Sequence, residues 1–245
     1  MSAEGLLQFA ATHNLHYVQF GDNMPLHSLS EEEQSNLKAI AEKLQINIEV
    51  GTRRLTVDNI TLYLAIAQKF NSSFLRVVID DADFHPNEHE VIDTIRTLLP
   101  KLEEKGIVLA IENHDRFSAT TLRKIIEQTS AQYIGICLDT ANSIGANEGI
   151  NEVLQVLGEY TVNLHLKDFT IRRLPHKMGF LIEGCAAGDG ALNGPAIIRQ
   201  LKTYKKCKTV TLEVWSSPEA TTAQSIAREK QLVESSINYL KTILL

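Results

Sequence analysis

Positive charge is in short supply in this chain: 24 Lys and Arg stand against 30 Asp and Glu, a formal net charge of -6. Nucleic-acid binding normally needs a basic stripe that neutralises phosphates and releases counterions, so neither DNA nor RNA is an expected partner. Cysteine is scarce too. Cys137, Cys185 and Cys207 are too few and too scattered for a disulfide framework or a thiolate zinc site, and they read as reduced thiols. Cys137 lies inside an apolar run and reads as a buried packing residue. No apolar run reaches the roughly 18 residues of a membrane helix. The first residues, MSAEGLLQFAATHN, lack the regions of a signal peptide. No membrane partner and a cytoplasmic location follow as expectations. Glycine and proline form no linker, and no charge block or fixed repeat divides the chain, so one domain over residues 1–245 is expected.

What the chain does have is a core-forming composition, 44% hydrophobic against 22% charged, and a regular rhythm. Short runs rich in Val, Ile and Leu alternate with longer amphipathic stretches, the pattern of repeated βα units and a parallel sheet. The runs are HYVQF (16–20), INIEV (46–50), FLRVVI (74–79), IVLAIE (107–112), YIGICLD (133–139), TVNLHL (161–166) and TVTLEV (209–214). Between them, SEEEQSNLKAIAEKL carries Ser30 and Glu33 at capping-box spacing, and VIDTIRTLLPKLEEK should be broken by Pro100. A helical pattern from Ala3 to Thr12 precedes the first run. The expected fold is α/β, a (β/α)8 TIM-barrel type with seven recognisable strands and the first strand absent. Such an opening would leave two sheet edges to be covered.

In a parallel barrel the C-terminal strand ends form the active-site face. Glu112 ends its run, Asp139 ends the next, His165 lies near the end of the third and Glu213 near the end of the fourth. Each alone has an ordinary structural explanation. Together, three carboxylates and an imidazole at successive strand ends are costly to bury unless a cation compensates them. One divalent ion is therefore the expected cofactor, Mn²⁺, Mg²⁺ or Co²⁺ suiting the oxygen-rich set and Zn²⁺ acceptable to it. Such an ion polarises a carbonyl and stabilises an enediolate while a flanking carboxylate moves the proton on carbon.

The segments IENHDR, LDTAN, LHLKD and LEVW, in this order and spacing, resemble the xylose-isomerase-like barrel superfamily of sugar and sugar-phosphate isomerases and epimerases. The resemblance spans most of the chain. It implies an ion held by Glu112, Asp139, His165 and Glu213, with Glu112 and Glu213 also serving as an acid–base pair on opposite faces of the substrate. Many epimerases of that family carry a histidine three residues after the aspartate. Here that place is Asn142, which puts a standard epimerase reaction in doubt but leaves a hydrogen bond to substrate open. The stretch after His165, with IEVGTRR and ENHDRF, is similar to a subgroup of decarboxylases of branched 3-oxo sugar acids, the 3-oxo-isoapionate decarboxylase-like subgroup.

That stretch, LKDFTIRRLPHKMGFLIEGCAAGDGALN, is 28 residues long. Connections of this length without structure of their own are uncommon and usually functional. It carries Lys167, Arg172, Arg173, His176 and Lys177, cations that suit a carboxylate or phosphate, or else form a solvated basic face. Its glycines Gly184, Gly188 and Gly190 would permit close backbone approach to a ligand. Asn142, Lys167, Arg172, His114 and Arg116 are the expected substrate contacts. Arg53, Arg54 and Arg76 are further carboxylate holders to weigh, Arg76 either facing the barrel or pairing with Glu49. His27 and His85 carry weaker signals.

The leading expectation is a metal-dependent isomerase or epimerase on a sugar or sugar phosphate. A lyase that decarboxylates a 3-oxo sugar acid is the runner-up, and a non-catalytic sugar-binding barrel the third reading. A repair endonuclease on this fold would want a basic groove and more histidine ligands. The partners are small molecules, and a homo-oligomer is compatible with all three readings.

Overall fold

The computed structural model describes residues 1–244. Helix α1 (Ala3–Thr12) is capped by Ser2 and leads into strand β1 (Tyr17–Phe20). Five helix–strand steps follow: α2 (Glu31–Lys43), β2 (Asn47–Arg53), α3 (Val57–Lys69), β3 (Phe74–Val78), α4 (Glu88–Lys105), β4 (Val108–Glu112), α5 (Ala119–Glu127), β5 (Ile134–Asp139), α6 (Ile150–Leu157) and β6 (Thr161–Leu166). A hairpin of β7 (Phe169–Arg173) and β8 (Phe180–Gly184) comes next, then α7 (Gly194–Tyr204), β9 (Thr209–Leu212) and α8 (Thr222–Leu244). The seven strands read from sequence form one parallel sheet in the order β1-β2-β3-β4-β5-β6-β9, curled into a nearly closed barrel with the helices around it. β9 returns beside β1, but among the described residues no backbone hydrogen bonds join the two, and this is the seam of the barrel.

Side-chain alternation divides each strand between two environments. Outward residues such as Leu75, Val77, Leu109, Ile111, Ile136, Leu138 and Leu164 are fully buried in one large core with the helices. Inward residues begin with a small separate apolar cluster, Phe74, Ala110 and Cys137. Two residues further along the same strands come Arg76, Glu112 and Asp139, so period 2 alone carries the chain from plug to polar mouth. The β5–β6 register slips between Ile136 and Cys137, which sets Asp139 opposite His165. Continuing the earlier register would have set it opposite Leu164.

The helices follow their sequence signals except at one proline. Ser30 and Glu33 form the expected capping box, and Asn87 with Glu90 forms a second. Pro100 does not break α4, which runs on to Lys105 and ends at Gly106 in the left-handed conformation. The proline lies on the exposed face, where water can take the carbonyl it leaves unpaired, while Val91, Ile92, Ile95, Leu98 and Leu102 hold the other face in the core.

The long connection after His165 is ordered by one carboxylate. Asp168, buried, accepts hydrogen bonds from the backbone N–H groups of Phe169, Gly188, Gly190 and Leu192. A Cβ at Gly190 would fall 2.1 Å from Asp168 Oδ1, and one at Gly184 would fall 1.9 Å from the carbonyl oxygen of Trp215. These glycines were expected to admit a ligand. They admit instead Asp168 and the segment that follows Glu213. No described helix is long and apolar enough to cross a membrane.

Candidate active site

Glu112, Asp139, His165 and Glu213 converge at the C-terminal end of the barrel, the first three fully buried and Glu213 one residue beyond β9. Ligand atoms of Asp139, His165 and Glu213 lie within 4.8 Å of one another, and those of Glu112, Cys137 and His165 do likewise. Two cations enter the cluster. Arg76 Nε donates to Glu112 Oε2 at 2.5 Å, and Lys167 Nζ stands 2.6 Å from Glu213 Oε2 and 3.1 Å from Asp139 Oδ2. Asn142 Nδ2 donates to Glu112 Oε1 at 2.9 Å, and its Oδ1 accepts from Lys167 at 3.3 Å. His165 Nδ1 is 3.0 Å from Glu213 Oε1 and 3.5 Å from Glu112 Oε2.

Burial and pairing compete at each of these groups. Burial alone would raise the Glu213 carboxyl, but His165 and Lys167 outweigh it and hold Glu213 well below the usual carboxylate range. Burial works against the Lys167 ammonium, yet Asp139 and Glu213 overcome it and keep the lysine protonated. His165 is likewise opposed by burial and raised on balance by Glu213 and Glu112. Asp139 is the exception: burial raises it despite Lys167. Its Oδ1 accepts from the backbone N–H groups of Ala141 and Asn142, both at 2.8 Å.

A metal ion fits this set. Asp139 Oδ2 and His165 Nδ1 are buried and have no hydrogen bond of sound geometry, for their short contacts to Lys167 and Glu213 are charge contacts that are not aligned. Two orphaned donors, an oxygen and a nitrogen among carboxylates, are what a divalent cation would satisfy. Cys137 is not part of that set, because burial holds its thiol protonated and it donates to Asn163 Oδ1.

The expected substrate contacts separate into two groups. Asn142 and Lys167 touch the cluster. Arg172 does not: it is exposed on the hairpin, and its guanidinium closes on Glu183 across the ladder. Arg173, His176 and Lys177 are exposed on the same hairpin, a solvated basic face. Arg116 lines a small cleft beside Glu112 and His114, but its donors are committed to Asp80 and the Pro86 carbonyl. His114 bonds its neighbour Asp115. His27 bonds the Tyr63 hydroxyl, and His85 faces Asp80 at 3.8 Å. Arg54 is held by Asp83 and Asp81, and Arg76 takes Glu112 and Asp22 rather than Glu49. Arg53, at the end of β2, meets only Asp22, at 3.5 Å, among the described residues.

Three contributors were not singled out in the sequence. Asn113 is fully buried and clamps the end of β5, accepting from the Asp139 N–H and donating to the Asp139 carbonyl and Ser143 Oγ. Asp22 links Arg53 to Arg76. Gln19 accepts from His165 Nε2 at 2.7 Å. An amide directly after Glu112 at a strand end was the one available signal, since polar residues at that face are rarely there for packing.

The model of one family, described as xylose isomerase-like TIM barrel, matches residues 4–243. The chain belongs to this family. Across this xylose isomerase-like barrel, a 3-oxo-isoapionate decarboxylase of Pectobacterium atrosepticum is 29% identical over 237 residues, 97% of this chain and 86% of that protein. A xylose isomerase domain protein from Planctomyces limnophilus superposes with a TM-score of 0.78 at 17% identity, covering 97% of this chain and 91% of that one. D-Psicose 3-epimerase from Clostridium cellulolyticum H10, solved with D-tagatose, gives 0.75 at 16% identity, covering 99% and 92%. At such identities the two solved structures speak for the fold of the barrel.

Proposed function

We propose that this barrel is a metal-dependent lyase that releases carbon dioxide from a 3-oxo sugar acid. The observation that carries the reading is that both oxygens of Glu112 are already committed and that Glu213 is held ionised as a weak base. Glu112 is taken by Arg76 and Asn142, while Lys167 closes on Glu213 Oε2 and Glu213 is held well below the usual carboxylate range. An isomerase or epimerase must draw a proton from carbon with such a carboxylate. Decarboxylation of a β-keto acid needs no base at carbon. The bond to the carboxylate breaks, its electron pair passes to the oxo oxygen, and the carbon then takes a proton. The 29% identical decarboxylase supports the same choice.

Glu112, Asp139, His165 and Glu213 would hold a divalent ion, which when bound supplies Lewis-acid polarisation of the oxo group. Lys167, kept protonated by its two carboxylates, is placed to return a proton to carbon. Arg53 is the arginine at this mouth with donors to spare, and it would receive the substrate's carboxylate. The second reading, isomerisation or epimerisation of a sugar or its phosphate, uses the same four donors and requires Glu112 to release Arg76 or Asn142.

The test has two parts. Elemental analysis of the parent should find one equivalent of Mn, Mg, Co or Zn, and a His165→Ala, Glu213→Ala double variant should carry none. In deuterated buffer, 3-oxo sugar acids should yield carbon dioxide and a product with one deuterium, while ketoses and their phosphates should gain none. Deuterium entering a ketose without carbon dioxide release would replace the lyase with the isomerase.

A further inference from the structure

The cluster rests on a hydrogen-bonded layer deeper in the barrel, built from Gln19 on β1, Glu49 on β2, Asn163 on β6 and Thr209 and Thr211 on β9. The layer has a direction. Its anchor is Asn163, fully buried, whose Nδ2 donates to Thr209 Oγ1 at 2.8 Å, Thr211 Oγ1 at 3.1 Å and the Thr209 carbonyl at 3.4 Å. A backbone carbonyl only accepts, so the amide nitrogen must face β9 and Oδ1 must face the opposite way. There Oδ1 accepts from the Cys137 thiol at 3.1 Å and from Gln19 Nε2 at 3.3 Å.

The direction passes on through Gln19. Its Nε2 also donates to Glu49 Oε2 at 3.3 Å, and its Oε1 stands 2.7 Å from His165 Nε2. An amide oxygen cannot donate, so Nε2 of the imidazole carries the proton. The lone pair of the neutral ring is then on Nδ1, the orphaned atom that faces Glu213 and Glu112. Turning the Gln19 amide over would set its oxygen against two acceptors, Glu49 Oε2 and Asn163 Oδ1, and would move the ring proton to Nδ1, where it would block a metal.

We infer that Gln19 and Glu49 are positioning residues that fix the tautomer of His165, so that its Nδ1 is presented to a divalent ion. The inference rests on the metal reading above for its consequence but on the hydrogen-bond directions for its content. It also assigns a role to the seam. Among the described residues β1 and β9 share no ladder bonds, and Gln19 reaching Asn163, which is itself tied to Thr209 and Thr211, joins the seam's two sides through side chains. The same bonds that close the barrel orient the ligand.

Two substitutions separate acceptor from shape. Gln19→Met keeps the length of the side chain and removes the acceptor for Nε2. Glu49→Gln keeps an acceptor, because the new amide can turn its oxygen to Gln19. Mn²⁺ affinity by titration calorimetry is expected to fall about 10–100-fold in Gln19→Met, the range for losing an outer partner of a ligating histidine. It should stay within about threefold of the parent in Glu49→Gln, a rescue that general damage to the fold would not give. Ring ¹⁵N spectra of the Zn²⁺-loaded parent should show a protonated Nε2 and metal on Nδ1, which tests the tautomer with no substitution at all. Metal on Nε2, or Gln19→Met binding as tightly as the parent, overturns the inference. If the parent binds neither ion, the metal reading falls, and the tautomer is judged in alkaline metal-free protein: Nε2–H in the parent with a mixture in Gln19→Met upholds it, and a mixture in both overturns it.

Discussion

At the scale of single residues, the same barrel holds carboxylates in opposite conditions. Glu213 is lowered by His165 and Lys167, whereas Glu49 is raised, chiefly by burial that Thr209, Gln19 and His165 only partly offset. A carboxyl raised above its unfolded value of about 4.3 holds its proton longer in the folded state, so stability falls as pH rises from there through the folded value. Glu49→Gln cannot lose that proton. It should therefore raise the melting temperature at pH 8, with the gain vanishing below about pH 4, as thermal denaturation across that range will show. Arg53 makes a different prediction, because its guanidinium is held by one loose contact to Asp22. Losing a charge-assisted bond to a substrate carboxylate costs about 1.5–3 kcal/mol. Arg53→Met should accordingly raise KM for an acid substrate about 10–100-fold with little change in kcat, and unchanged steady-state constants would remove Arg53 from the site.

At the scale of elements, the hairpin β7–β8 shows how an unpatterned segment acquires structure. Its strands alternate poorly, its outer face is exposed, and the ordering comes from Asp168 gathering four N–H groups from both of its ends. Asp168→Asn offers one acceptor oxygen where there were two, and its amide would face two of those donors. A loss of about 2–4 kcal/mol is expected in urea denaturation, with proteolytic cleavage appearing between residues 169 and 192. The helices, by contrast, were legible because capping and amphipathic spacing act within a few residues. Pro100 misled because helix breaking is a local rule, and the buried stripe from Val91 to Leu102 is a tertiary one.

For the whole molecule, an ion that binds only the folded state stabilises it by mass action, about 2.7 kcal/mol at a hundredfold excess over Kd. Adding Mn²⁺ to chelator-treated protein should raise its melting temperature, and the rise should be absent in His165→Ala. The barrel itself was readable from seven apolar runs and the helical stretches between them, since both periods are properties of neighbouring residues. The four strand-end donors were readable too, because a parallel barrel sends every strand's C-terminal end to one face. The sequence could not decide which cation meets which carboxylate. Arg76 and Glu112 are 36 residues apart, Gln19 and His165 are 146 apart, and Arg172 was drawn away to Glu183. Those pairings depend on register, on the slip that sets Asp139 opposite His165, and on closure of the seam. Sequence spacing therefore determined the strands, their order of chemistry and the common face, while only the tertiary structure decided the partners, because distance between remote side chains is set by how the sheet closes.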